Sequence, residues 1–408
     1  MKCGLLGRKL GHSYSPAIHA QLGDYPYDLF EKEPEELEEF LRHGDFTGIN
    51  VTIPYKKAVI PYLDRLTPVA QAVGAVNTII RQKDGTLLGH NTDYFGFSSM
   101  ADRCGVELAG KKALVLGSGG ASQTAQAVLK NMGAEVVVIS RQGKNNYENL
   151  CLHRDAAVIV NTTPVGMYPN AGVSPVEIGE FPELKCVLDV VYNPARTKLL
   201  LDARKAGIPW ENGLWMLVAQ AKEAAEYFTG NAIDDSIISR IHGKLRRQMK
   251  NIVLIGMPGC GKSTIGRLVA AKTGKTFVDA DAEIEKTAGR TIPEIFEAEG
   301  ETGFRVWETK VLSRLGQESG LVIATGGGCV TREENLPLLH QNGQLFWLKR
   351  DLSALPKEGR PLSLTGDLAK MYAAREPMYR AFANWEVNNN GLPEQTVERI
   401  CEIWEGTA

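Results

Sequence analysis

Gly256-Met257-Pro258-Gly259-Cys260-Gly261-Lys262-Ser263 has the residue types and spacing to grip a nucleoside triphosphate. Glycines at 256, 259 and 261 let backbone N–H groups turn toward phosphate oxygens. Lys262 can reach the β- and γ-phosphates, the Ser263 hydroxyl can ligate Mg2+, and Thr264 opens a helix behind them. Further on, Asp279 and Asp281 stand two apart at a strand end and share a face. One can order the waters of Mg2+ and the other an acceptor hydroxyl. Arg305 and Glu308 are one helical turn apart, so a buried Glu308 would hold the guanidinium ready for a substrate carboxylate. Three glycines, 326 to 328, permit close approach of backbone to a ligand. This is the inventory of a phosphotransferase for a small carboxylated alcohol.

A second glycine loop, Gly117-Ser118-Gly119-Gly120-Ala121-Ser122, precedes the first by more than a hundred residues. It fits a dinucleotide pyrophosphate, with small Ser122 as its last member. The strand after it ends Ser140-Arg141-Gln142, without the acid that binds the ribose of NAD, so Arg141 points to NADP(H). Earlier still lie four polar clusters: His12-Ser13-Tyr14-Ser15-Pro16, Asn50-Val51-Thr52-Ile53-Pro54-Tyr55-Lys56, Gly74-Ala75-Val76-Asn77-Thr78 and Gly89-His90-Asn91-Thr92-Asp93. Hydroxyls and amides suit a polyol bearing a carboxylate. A Lys56–Asp93 pair can move a proton while a nicotinamide cofactor moves a hydride. His12 and His90 are expected to be structural or peripheral.

The elements that must hold these residues follow from pattern. Ile252–Ile255 reads as an apolar strand and Lys111–Leu116 as a buried parallel one, each running into its glycine loop and then a helix, and further βα alternation follows each loop. The expected class is α/β throughout. A substrate domain over residues 1–100 is completed by helices at about 213–245, a Rossmann-like NADP domain covers 101–212, and residues 246–250 link to a P-loop kinase domain over 250–408. With 408 residues, 43% hydrophobic and 23% charged, each part can bury a core. A net charge of −2 gives no basis for nucleic-acid or membrane-surface binding. No apolar run suits a membrane span, and seven scattered cysteines suggest neither a disulfide framework nor a zinc site, so a cytoplasmic enzyme is expected. Oligomeric state does not follow from the sequence.

In collinear order, residues 1–245 resemble the shikimate dehydrogenase family. The resemblance rests on the serine pair, Asn-Val-Thr-x-Pro-x-Lys, Gly-Ala-Val-Asn-Thr, Asn-Thr-Asp-x-x-Gly, Asn161–Met167, Asp189–Pro194 and Gly213–Ala221. It implies NADPH-dependent reduction of 3-dehydroshikimate. Ser13 and Ser15 would hold the carboxylate, while Thr52, Asn77, Tyr192, Gly213 and Gln220 would surround the ring. Lys56 and Asp93 would form the catalytic pair, the order of their roles left open. Gly117, Gly119, Gly120, Ala121 and Arg141 would bind the cofactor. The usual Asn-Arg-Thr cofactor clamp is Ser-Arg-Gln here, and Tyr55 replaces a usual Phe.

Residues 250–408 resemble the shikimate kinase family on the two aspartates, Phe304-Arg305-x-x-Glu308, the triple glycine, Gly359-Arg360-Pro361-Leu362 and Arg375-x-x-x-Tyr379. That resemblance implies ATP and Mg2+ as cofactors. Asp281, Arg305, Gly327 and Arg375 would bind shikimate, Lys262 and Asp281 would be catalytic, Asp279 with Ser263 would serve the metal, and Arg360 would come from the lid. The stretch Lys349 to Tyr372 is shorter than usual. The combined expectation is a bifunctional enzyme of aromatic amino-acid biosynthesis. Its rivals are a quinate/shikimate dehydrogenase joined to another small-molecule kinase, and a nucleotide-sensing regulator.

Overall fold

Three β-sheets carry the two groups of reactive residues. The computed structural model describes residues 1–11, 13–355 and 368–406. It divides into one unit of Met1–Met167, Val173–Tyr192 and Leu199–Gly243, and another of Tyr168–Gly172, Asn193–Lys198 and Lys244–Ala408.

The first unit holds two sheets. One contains β1 (Cys3–Gly7), β2 (Tyr27–Glu31), β3 (Gly48–Val51), β4 (Arg65–Leu66), β5 (Thr78–Arg81) and β6 (Leu87–His90) in the order β2-β1-β3-β5-β6-β4. β1 pairs in parallel with β2 and β3, whereas β5 runs antiparallel to both β3 and β6. Leu6, Ile49, Val51 and Ile79 pack with Leu37 and Leu41 into one core. The register sets Asn50 beside Thr78 and Thr78 beside His90. Three polar clusters far apart in sequence therefore end at one place on the sheet.

The other sheet contains β7 (Lys112–Leu116), β8 (Glu135–Ile139), β9 (Val158–Asn161), β10 (Cys186–Asp189) and β11 (Trp210–Asn212), ordered β11-β10-β9-β7-β8 and wholly parallel. β9 and β10 are buried along their whole length, as strands covered on both faces must be. The glycine loop leaves the carboxyl end of β7, where open α/β sheets bind ligands. The helices Asp93–Asp102 and Gly213–Thr229 pack together, with no room for a Cβ at Gly96 against the Met216 carbonyl.

In the second unit β12 (Asn251–Ile255), β13 (Thr276–Asp279), β14 (Leu321–Ala324), β15 (Gly343–Lys349) and β16 (Trp385–Asn388) form a parallel sheet in the order β13-β14-β12-β15-β16. β12 and β14 are fully buried and deliver the phosphate loop and the triple glycine side by side. The helix Ile292–Gln317 breaks at Gly300, whose φ of 68° suits glycine alone, and Arg305 and Glu308 lie beyond the break.

Two expectations meet a different structure. The helix Ser236–Met249 runs through most of the stretch read as a linker. Where the sequence suggested no disulfide framework, one pair, Cys104 and Cys186, is bridged, with Cα atoms 6.5 Å apart; a separation of 82 residues carries no signature in sequence. No helix among the described residues is long and apolar enough to cross a membrane.

Candidate active sites

Lys56 Nζ donates to Asp93 Oδ2 at 2.5 Å. Lys56 leaves the turn after β3, and Asp93 opens the helix Asp93–Asp102, so each sits where its element begins or ends. Behind Asp93, Asn77 Oδ1 accepts from the Thr92 N–H at 2.7 Å, and Asn77 Nδ2 donates to Thr92 Oγ1 at 3.0 Å. Thr92 Oγ1 in turn reaches Gln220 Oε1 at 3.3 Å. Asn50 donates to Thr78 Oγ1, and Tyr27 donates to Asn50 Oδ1 at 2.8 Å. A chain of hydrogen bonds thus runs from Tyr27 through Asn50, Thr78, Asn77 and Thr92 to Gln220.

Other expected residues lie around this chain. Ser13 Oγ accepts from the Ser15 N–H at 3.2 Å. Tyr192 meets Tyr14 edge-on at 6.1 Å, and burial raises the pKa of both phenols. The Thr52 N–H donates to the Leu6 carbonyl, and its hydroxyl makes no hydrogen bond among the described residues. Gly213 starts the helix Gly213–Thr229 so close to the Val190 carbonyl that no Cβ would fit.

A cavity of about 980 Å³ joins Lys56 to Gly117, Gly119, Gly120, Ala121 and Arg141. The helix Gly120–Asn131 has no side-chain cap, so its first N–H groups are free for an anion. A Cβ on Gly119 would meet no protein atom within 4 Å, whereas one on Gly120 would lie 3.8 Å from Lys56 Cδ. The loop therefore has the open cradle that a dinucleotide pyrophosphate requires, and Lys56 lines the same cavity. Tyr147, absent from the sequence reading, shares the cavity with Arg141.

In the second unit a cavity of about 780 Å³ is lined by Gly259, Gly261, Lys262, Ser263, Thr264, Asp279, Asp281, Arg305, Gly327 and Arg375, among others. Gly256 lies below it, where its carbonyl accepts from Lys262 Nζ at 2.9 Å. Gly261 caps the helix Lys262–Thr273 without a side-chain bond, leaving its N–H groups to a ligand. Ser263 donates to Asp279 Oδ2 at 2.6 Å, and Asp279 Oδ1 accepts from the Asp281 N–H.

Arg305 Nη1 donates to the fully buried Glu308 at 2.8 Å, and its Nη2 to Glu301 at 2.9 Å. Burial pushes the Glu308 carboxyl up while Arg305 holds it down. For Arg305 burial opposes the charge, but the two glutamates outweigh it and raise its pKa. Each glycine of the triplet makes room for a different neighbour. A Cβ at 326 would strike Glu308 Oε1 at 2.7 Å and Asp281 Oδ1 at 2.9 Å; at 327 it would strike Pro258, and at 328 the Arg305 guanidinium. The Gly327 carbonyl accepts from Arg375 at 3.3 Å and from Tyr379. Arg360 and His12 lie outside the described residues.

Sequence reasoning left Tyr27 and Arg350 unremarked as site residues. Tyr27 is one alternating residue of an ordinary strand and gives no signal. Arg350 follows an apolar strand, where a basic residue reads as a solvated end.

These features define a dinucleotide-dependent oxidoreductase in the first unit and a P-loop phosphotransferase in the second. Comparison with known proteins narrows both. The chain is 37% identical over 265 residues to the shikimate dehydrogenase (NADP(+)) of Clostridium perfringens, covering 60% of this chain and 97% of that protein. The crystal structure of shikimate dehydrogenase 1 from Peptoclostridium difficile matches with a TM-score of 0.55 at 37% identity, over 60% of this chain and 98% of that one. The shikimate 5-dehydrogenase of Thermus thermophilus, solved in complex with NADP(H) and shikimate, matches at 0.54 and 33%, over 60% and 99%. The chain belongs to the shikimate dehydrogenase family. Residues 5–79 match the model of the shikimate dehydrogenase substrate binding domain, and residues 258–405 match that of shikimate kinase.

Proposed function

We propose that this chain makes shikimate and then phosphorylates it. Its first unit would reduce 3-dehydroshikimate with NADPH, and its second would transfer phosphate from ATP to the hydroxyl just formed. Residues 1–100 with 213–245 would be the substrate domain, 101–212 the NADP domain and 250–408 the kinase. A cytoplasmic location fits these small-molecule substrates. The observation that carries the reading is Lys56, which bonds Asp93 and lines one cavity with the cofactor loop.

When bound, NADPH supplies the hydride, and MgATP supplies the phosphoryl group. Lys56 Nζ gives its proton to the ketone oxygen as it becomes a hydroxyl, while Asp93 holds the ammonium in place and accepts a share of its charge. Ser13 and Ser15 bind the carboxylate, and Thr52, Asn77, Tyr192, Gly213 and Gln220 hold the ring. The shared chain of hydrogen bonds fixes Asn77 and Gln220 before substrate arrives, so little ordering remains to be done on binding. Arg141 takes the extra phosphate that distinguishes NADPH.

In the kinase unit Arg305 and Arg375 bind the acceptor carboxylate, with Glu308 fixing the Arg305 fork. Asp281 orients the attacking hydroxyl and accepts its proton, and Lys262 neutralises charge on the transferred group. No cluster of three or more His, Cys, Asp or Glu among the described residues could hold a metal alone. The hydroxyl of Ser263 and the carboxylate of Asp279 are hard oxygen donors that would hold Mg2+ together with nucleotide phosphates, as this ion prefers.

The test is a single reaction containing the protein, 3-dehydroshikimate, NADPH and MgATP. Shikimate 3-phosphate should accumulate as NADPH is consumed. Replacing 3-dehydroshikimate by 3-dehydroquinate should stop both. NADPH oxidation without any phosphorylated product would refute the kinase half of the reading.

A further inference from the structure

Arg350 stands directly after β15 and is the sole arginine between Arg332 and Arg360. It lines the second unit's cavity with Gly259, Gly261 and Lys262. Its Nη1 lies 3.8 Å from where a Cβ on Gly261 would stand, so the guanidinium overlooks the phosphate loop. Yet Arg350 makes no ion pair and no side-chain hydrogen bond among the described residues, and its buried Nε has no acceptor. A guanidinium cannot shed its proton, and buried donors are rarely left unmatched without a reason.

The surroundings hold Arg350 in place without neutralising it. The neighbouring Asp351 carboxylate accepts from Asn390 Nδ2 at 3.0 Å, and the Asp351 N–H donates to Asn390 Oδ1 at 2.8 Å. Asn389 donates to the Cys260 carbonyl at 2.6 Å, tying the same platform to the phosphate loop. The adjacent Asp351 carboxylate is thus committed elsewhere, and the charge faces the end of the cavity where the triphosphate loop lies. Arg305 and Arg375 serve the other end, at the triple glycine.

We propose that Arg350 is a nucleotide-binding residue, which pairs its planar fork with a phosphate of the bound nucleotide from the side of Gly261. The proposal rests on the kinase reading of this cavity and adds a phosphate ligand from the short segment ahead of Arg360. A charge-assisted pair of this kind sets a large part of nucleotide affinity.

The experiment compares the whole chain with its Arg350→Met variant, which keeps the stem and removes the charge. Titration with MgADP should show affinity about tenfold or more weaker in the variant. The KM for ATP should rise in step, with the KM for shikimate and the dehydrogenase rate unchanged. In the unmodified protein, phenylglyoxal should label Arg350, read by peptide mass spectrometry, and ADP but not shikimate should block it. That second measurement holds even if the variant's kinase unit does not fold. Unchanged ADP affinity, or labelling that shikimate rather than ADP prevents, overturns the proposal. A protein that binds ADP through Arg350 but does not phosphorylate shikimate would leave this inference standing and refute the acceptor assignment.

Discussion

Lys56 and Asp93, which are 37 residues apart, share a hydrogen bond of 2.5 Å. Neither end is held by the other alone. Lys56 is fixed by the turn after β3, where the Val76 N–H donates to its carbonyl, and Asp93 by the helix that packs on Gly213–Thr229. An ammonium anchored at both ends is held at one point of the adjoining cavity. Lys56→Ala should lower the reduction rate by about a thousandfold and leave phosphorylation intact. Lys262→Ala should do the reverse. Assays of both reactions on each variant check this, and loss of both from either folded variant would contradict two independent sites.

Glu308 is buried completely and exists in this structure to face Arg305. Removing it leaves a buried guanidinium whose remaining partner, Glu301, is half-exposed. Breaking such a pair costs about 3–5 kcal/mol. Glu308→Ala should therefore lower the urea midpoint for loss of ADP binding, while the midpoint for loss of dehydrogenase activity stays put. Glu308→Gln retains an acceptor and should lose less. Equal stability of Glu308→Ala and the parent would mean that Arg305 needs no internal counterion.

Gly326 separates Glu308 from Asp281, and a methyl group there would contact carboxylate oxygens of both. Gly326→Ala should displace the acceptor-binding groups without touching the nucleotide loop. The expected result is a kcat for phosphorylation about a hundredfold lower, with ADP affinity unchanged. Loss of ADP affinity in step with kcat would place the triplet on the nucleotide side instead.

Both glycine loops could be read from the sequence because their chemistry demands a local order of strand, loop and helix. The reactive pairs were legible only as separate clusters. Nothing local says that Asn50, Thr78 and His90 are neighbours; that follows from the antiparallel register of β3, β5 and β6. Tyr27 and Arg350 stayed hidden because each sits in an ordinary strand context and gains its meaning from residues far along the chain. The Cys104–Cys186 bridge was hidden for the same reason. The helix through residues 246–249 was missed because a charged run before a strand reads as a linker, although Lys275 caps its carbonyl end by donating to Arg247 and Gln248.

Arg141 lines the cofactor cavity, and no acidic residue ends the strand before it. Arg141→Gln removes the charge that would meet the extra phosphate of NADPH. Its KM for NADPH should rise about tenfold or more, while turnover with NADH should not change. Equal losses with both cofactors would assign Arg141 to the shared pyrophosphate or to the fold.

His19 is fully buried, stacked on Tyr27 at 4.0 Å and bonded through Nδ1 to the Tyr25 hydroxyl at 2.8 Å. Burial disfavours its charged form, only partly offset by Asn50, and lowers its pKa from 6.5 to about 3. The unfolded chain therefore takes up this proton more readily than the folded one. Stability from neutral His19 is complete above pH 6.5 and is lost as pH falls toward the folded value near 3. Within that window this one group contributes a slope of about 1.4 kcal/mol per pH unit. His19→Phe should be less stable at neutral pH, since the Tyr25 hydroxyl loses its partner, yet its urea midpoint should fall less steeply on acidification. The readout is dehydrogenase activity after equilibration in urea between about pH 7 and pH 5. Identical slopes in the two proteins would show that acid acts on other groups of the first unit.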